Sequence, residues 1–398
     1  MKSLNSVTMG RQSAGFSIYI HFAIALSSLI VVPLAAFISL DTQLSAKLVG
    51  YLVSGKAICA LFTSYLVKER RAYDLSLMKA LLLILSTVTY LFTLTKSFNL
   101  MLTYQCLSGL CCGAISVLNF NDVMARSQVS ERKERIGNLL SCYPLALAIG
   151  VSPLVFIASE SSWRVSLQLL SVLIFIGFLG VFLQQRQSVP AQDEAIGSSV
   201  RKSVLQVRHL GSFALCSLAI FFSVFSTFLF SVQLPTFMLG KLHIAPYLVS
   251  IGYVVGGLGC FATIQRYTVN SQAFLPLQKI LLASLGVATL ATLVLFSQNV
   301  YVVVASFILF IMISASRTLV VKTDILHYAD SELRTLMVGT QGGVQYIAMA
   351  SAGVLGSLIL SSGSDELNYS LLVEVGLTFS LCVPALCILI RRQLAYSK

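Results

Sequence analysis

Charge is what this sequence has least of. Only 11% of its 398 residues are Asp, Glu, Lys or Arg, while 57% are hydrophobic; a soluble domain carries about 25% charged residues. Too few polar side chains remain to cover a water-facing surface. A soluble enzyme, a disordered chain and a secreted disulfide scaffold are therefore excluded. Catalytic and nucleotide signatures are missing as well. There is no G-x-x-x-x-G-K-[ST] to hold ATP, no H-E-x-x-H and no nucleophile elbow. The four histidines are unpaired, and the nine cysteines show neither CxxC nor Cys/His spacing; Cys111 and Cys112 are merely adjacent. The cysteines read as small core residues with free thiols. No metal, no cofactor and no enzymatic activity are expected. The net charge of +12 sits in short gaps between apolar runs, not on a basic stripe with stacking aromatics, which argues against nucleic acid as a partner.

What is present is a series of bilayer-length apolar runs. A spanning helix needs about 20 mostly apolar residues. Twelve such runs are expected, at 15–40, 44–67, 76–95, 98–122, 138–158, 165–184, 211–236, 246–265, 275–297, 299–322, 335–361 and 368–390. None alternates with period two, so a lipid-embedded β-barrel is not indicated. The first run is too long and too close to the second to read as a cleavable signal peptide. With the N-terminus placed inside, all but six of the 27 Lys and Arg residues fall on that same side. Lys47, Lys96, Arg164 and Lys241 lie outside; Lys56 and Arg317 lie within spans. That bias places both termini in the cytoplasm. The expected location is a plasma membrane of the bacterial inner-membrane type, with the lipid bilayer as the surrounding partner.

The longest gap divides the runs six and six. The expected organisation is a six-helix bundle over 1–184, a polar cytoplasmic linker over 185–210 and a second six-helix bundle over 211–398, an all-α integral membrane fold of two pseudo-symmetric halves. A faint repeat supports this. The fourth span ends in Asp122, followed by a charged loop with Arg135 and Gly137; the tenth ends near Asp324, followed by Asp330, Glu332, Arg334 and Gly339. Glycines four apart (Gly109 and Gly113, Gly252 and Gly256, Gly339 and Gly343) mark faces where helices approach closely. Pro33, Pro144, Pro153, Pro235 and Pro384 are expected to kink or break spans.

Several stretches resemble the major facilitator superfamily, especially its drug-efflux branches. Gln105-Cys106-Leu107-Ser108-Gly109-Leu110-Cys111-Cys112-Gly113 is similar to the family's fourth-span pattern, with Gln105 where the family often has Arg. Gly150-Val151-Ser152-Pro153 resembles the Gly-Pro stretch of its antiporters, Ser162-Trp163-Arg164 the Trp-Arg opening its sixth span, and Thr340-Gln341-Gly342-Gly343 a familiar run in the eleventh. Two features depart from the family. In the loop after the second span, Lys68-Glu69 replaces Asp-Arg within Ser64–Ala72, and no acid lies between Gly15 and Leu40. The resemblance implies alternating access around a midplane site, lined in part by the tenth span. It also implies a small-molecule substrate, a proton or other coupling ion, and a monomer.

Ionisable groups at membrane depth cost about 2.5–3.5 kcal/mol each on insertion scales, so the few present are functional candidates. Lys56 is the sharpest, about 18 Å from either end of the second span. It reads either as a cargo-binding cation or as a lysine satisfied by neighbouring carbonyls. Arg317, a fork suited to carboxylate or phosphate, reads either as a second cargo contact or as a partner of Asp324. Glu374, on a stripe with Ser370 and Thr378, is the candidate for proton coupling. Asp122, Asp324, Arg135 and Arg334 are candidate gating charges. Gln105, Gln233 and Asn119 are neutral groups suited to orienting cargo, and His21 reads as a structural histidine. The combined expectation is a secondary transporter moving a small, anionic organic compound by proton-coupled efflux. Proton-coupled uptake of an organic anion and a non-transporting polytopic protein are the alternatives.

Overall fold

The structure is a computed structural model describing residues 2–44, 48–70, 75–126, 135, 138–139, 141–183, 210–270, 277–328, 331–361 and 369–396. Among these residues every long element is a helix and no strand occurs. The helices are α1 (Lys2–Leu29), α2 (Val31–Thr42), α3 (Val49–Arg70), α4 (Leu75–Phe92), α5 (Phe98–Arg126), α6 (Cys142–Leu145), α7 (Ser152–Glu160), α8 (Trp163–Leu183), α9 (Leu210–Ser231), α10 (Leu234–Gly240), α11 (Pro246–Asn270), α12 (Leu277–Phe296), α13 (Val300–Tyr328), α14 (Ser331–Ser361) and α15 (Tyr369–Tyr396). The expected linker at 185–210 lies outside the described residues, apart from its last position.

Ten of the described spans are long and apolar enough to cross a bilayer; the bent pair α1–α2 makes an eleventh. The twelve expected are not reached by that measure. The place of the expected second span is taken by α3, whose 22 residues would reach about 33 Å, the length a bilayer core requires.

The loops that carry the expected Asp-and-charge repeat lie largely outside the described residues, but corresponding elements share other features. The first span of each half is broken, α1 from α2 and α9 from α10, with Pro33 and Pro235 just past the breaks. Proline supplies no N–H to the ladder, which is why the helix parts there. The fourth-span helices α5 and α13 are each 29 residues long. The expected Gly-Pro stretch is a π-helical turn, Ala146–Val151, leading into α7 with Pro153 in its first turn. A widened turn accommodates a proline ring that a regular α-ladder would reject.

Inside the first half α3 packs on α5, and α4 on α5 and α8; inside the second, α11 and α12 pack on α13, and α15 on α9 and α12. The halves meet along α3–α14, along α11 against α6, the π-turn and α7, and where α2 touches α10. Two glycine positions decide how closely backbones approach. A Cβ on Gly109 would strike the carbonyl oxygen of Lys56, and one on Gly113 that of Ala60, so α5 lies directly on the α3 backbone. Across the halves, Gly50 and Gly353 face each other, and a Cβ on either would meet the other's carbonyl. Hydroxyls stitch the same seams: Ser54 Oγ donates to Ala350 O at 2.8 Å, and Ser152 Oγ to Ser250 O at 2.8 Å. Such interhelical hydrogen bonds average about 0.6 kcal/mol in a membrane protein, weak enough to break when halves move.

Candidate functional site

The site is built around the broken first span. The α1 ladder ends with Ile30 N–H donating to Leu26 O at 3.0 Å and resumes with Leu34 N–H donating to Ile30 O at 3.2 Å. Between them Ile30 belongs to neither helix, and the axis bends by 43°. Carbonyls in the last turn of a helix have no intrahelical donor, and Ser27 stands in that turn. Lys56 fills the need. Its Nζ donates to Ser27 O at 2.7 Å and to Ser27 Oγ at 2.9 Å. A cation at a helix C-terminus is also favoured by the helix dipole, by about 0.3–1 kcal/mol at exposed sites and up to ~2 kcal/mol when partly buried. This is how α3 carries an ammonium that is only 7% exposed. Gly109 contributes by letting α5 close over the Lys56 backbone.

Lys56 has three N–H donors, and two are used on Ser27. Two small cavities flank it, each of 10 Å³, about the space one water molecule requires. The first lies within the first half and is lined by Ser27, Thr89, Tyr104, Gln105 and Ser108 besides Lys56. The second bridges the halves, with Ser28, Gln105 and Cys112 on one side and Tyr346 and Met349 of α14 on the other. Gln105 lines both and is 6% exposed, and its Oε1 has no hydrogen-bond partner. The third ammonium N–H of Lys56 and the unpartnered amide oxygen of Gln105 thus belong to residues that line the same two water-sized cavities.

Arg317 sits differently. Its guanidinium donates to Ser223 O at 3.0 Å, Ser226 Oγ at 2.9 Å, Thr227 Oγ1 at 3.2 Å, Ser284 Oγ at 3.4 Å and Ser380 Oγ at 2.6 Å. Those oxygens come from α9, α12 and α15, so the side chain braces four helices of the second half. It lines none of the three described cavities.

The other expected residues scatter. Asn119 donates to Ser17 O at 2.9 Å, tying α5 to α1. Gln233 stands at the α9–α10 break, buried, with Nε2 unpartnered. Glu374, Ser370 and Thr378 do share one face of α15, as their spacing predicts, but all three are exposed. Asp324 is buried, Asp122 and Arg135 are half-buried, and all three have interaction partners. The side chain of Arg334 and the charged Lys68–Arg71 stretch lie outside the described side chains. His21 packs edge-on to Tyr143, ring centroids 6.0 Å apart.

Three features escaped sequence reading. Ser27 is one, since a helical serine signals nothing until the helix breaks. Lys322 is another: it reads as a flanking charge, yet it is 7% exposed and donates to Gln345 Oε1 at 2.5 Å. The third is Asp41. Its Oδ2 takes Arg164 Nη1 at 2.5 Å and Trp163 Nε1 at 3.1 Å, while Arg164 Nε donates to Thr93 O at 3.0 Å. That cluster pins α2 to the starts and ends of its neighbours, giving the Trp-Arg pair a structural task. An apolar groove of 550 Å³ also opens between α3, α9, α14 and α15, with Phe221, Phe225 and Phe379 on its wall; its surface offers no charge to a ligand.

Solved structures share this arrangement. A bacterial homologue of the human lysosomal transporter Spinster, inward-facing and unoccupied, superposes with a TM-score of 0.72 at 12% identity, covering 98% of each chain. A D-xylose–proton symporter gives 0.71 at 13% identity, covering 96% of this chain and 97% of the other. No curated protein sequence matches significantly. The family model of the Major Facilitator Superfamily matches residues 18–270. A multi-pass helical membrane fold, two broken first spans and that match lead to one statement: the chain belongs to the major facilitator superfamily and is a transporter, not an enzyme.

Proposed function

We propose that this transporter exports a small organic anion by proton-coupled alternating access, with Lys56 as the cargo's charge partner and Gln105 as its orienting amide. The observation that carries the reading is the state of Lys56. It is a buried ammonium, its described partners are the two neutral oxygens of Ser27, and it borders the cavity between the halves. A buried cation is normally matched by an anion or gives up charge. A carboxylate arriving from solution would supply the missing partner through a charge-assisted hydrogen bond, about twice as strong as the neutral one it replaces. Arg317, whose two terminal nitrogens are held by one carbonyl and four hydroxyls while its Nε has no partner, serves in this reading as a brace.

The preponderance of Lys and Arg on one side makes that side the cytoplasm. The end where α2 meets α10 is then the outer end, and that contact bridges the halves there in this reading. Export as the direction rests on the likeness to efflux branches. Everted membrane vesicles carrying the protein should accumulate a carboxylate cargo when the lumen is acidified, and Lys56→Gln should remove that accumulation while leaving the protein in the membrane. Accumulation only under the reversed gradient would show uptake. Unchanged accumulation by the K56Q variant would overturn the anion reading.

A further inference from the structure

We infer that Lys56 is the coupling switch of the transporter, because the cargo anion and the broken end of α1 compete for the same ammonium. The inference rests on the anion reading above and adds what binding does next. Ser27 O is the acceptor that a regular helix would offer to Val31 N–H, four residues on. Here that ladder is interrupted at Ile30, and the carbonyl is held by Lys56 at 2.7 Å. The bend and the lysine bond therefore support each other. The bent continuation, α2, is the element that touches α10 across the seam between the halves.

When a carboxylate draws Lys56 away, Ser27 O loses its donor inside a dry helical bundle. The nearest replacement is Val31 N–H, and taking it straightens the first span. Straightening lifts α2 from α10. Pro33 limits how far the ladder can re-form, since it has no N–H to give Leu29, so the change is a hinge and not a continuous helix. The second half is interrupted at the corresponding place without a comparable bend and without a cation: Gln233 stands there, and its amide nitrogen has no partner. One hinge is charge-controlled and its counterpart is passive.

The test uses the full chain in proteoliposomes, with the accessible Cys59, Cys106 and Cys382 replaced by serine. Spin labels are placed at Leu40→Cys on α2 and Gly240→Cys on α10, both exposed positions. The wild type should give a dominant short distance. Lys56→Met should raise the long-distance population at least about threefold, and Lys56→Arg should restore the short one. Added benzoate should shift the wild type in the same direction and leave the K56M variant unmoved. Should K56M fail to fold, Ser27→Ala, which removes one of the two acceptors, should shift the wild-type distribution the same way by a smaller amount. A K56M or S27A distribution identical to the wild type overturns the inference, as does a wild type indifferent to benzoate or a K56M protein that responds to it. Transport separates the two claims. Loss of transport in K56M with unchanged distances sinks the switch and leaves the anion reading. Shifted distances with transport intact sink the anion reading.

Discussion

Lys56 in the first half and Arg317 in the second are both buried cations within spans, and the two are housed in opposite ways. Arg317 is surrounded by five oxygens from three other helices, and its task ends at holding them together. Lys56 has two oxygens from one residue, at a break in a helix, beside two small cavities and an unpartnered amide. The difference teaches that burial of charge in a membrane does not by itself mark a binding site. What sets Lys56 apart is that a single residue supplies its oxygens and that it borders a small cavity at the seam between the halves.

Substitutions can break that contrast, and their expected effects fall in a definite order. Arg317→Gln should be felt most, and in stability. Five hydrogen bonds at roughly 0.6 kcal/mol each amount to about 3 kcal/mol, read as a loss of monodisperse protein after heating in detergent, with transport per folded molecule nearly kept. Lys56→Gln should show the reverse, with transport down by about 30-fold, roughly 2 kcal/mol, the low end of what truncating one member of a buried charged pair costs; its heat resistance should change far less than that of R317Q. If both variants lose the same property, the two cations are not different in kind. Gly109→Val sharpens the point, because a side chain there wedges α5 off the Lys56 carbonyl. Overpacking of this sort costs about 1–3 kcal/mol, and transport should fall along with thermal stability. Asp41→Asn removes a half-exposed ion pair with Arg164, worth about 1 kcal/mol or less, and should lower the melting temperature slightly. Glu374→Gln, on the exposed face of α15, should alter transport by no more than about twofold, the usual range for a surface substitution. A larger loss would return the proton-coupling role to that residue.

Much of the fold was legible because lipid imposes simple rules. Run length gave the spans, and Pro33 and Pro235 marked the two breaks. Lys56 and Arg317 could both be picked out by depth alone. Their different fates could not, since the hydroxyls around Arg317 come from positions up to 91 residues away and serine and threonine carry no signal in an apolar run. Ser27 was silent for a related reason: its importance lies in a carbonyl, which every residue has. The Ser370, Glu374 and Thr378 stripe shows the limit of periodicity, which says that residues share a face but not which way the face points. Asp41 and Trp163 are 122 positions apart, and only the packed chain brings them together.

The central claim is that Lys56 reads a negative charge on the cargo. Counterflow into proteoliposomes compares a panel of aromatic and aliphatic carboxylic acids with their matched neutral amides, for the wild type and for K56Q. At least one acid should exchange about tenfold faster than its amide in the wild type, a difference of about 1.4 kcal/mol, and that preference should vanish in K56Q. Equal exchange of every acid and amide, or a preference that survives in K56Q, would refute it.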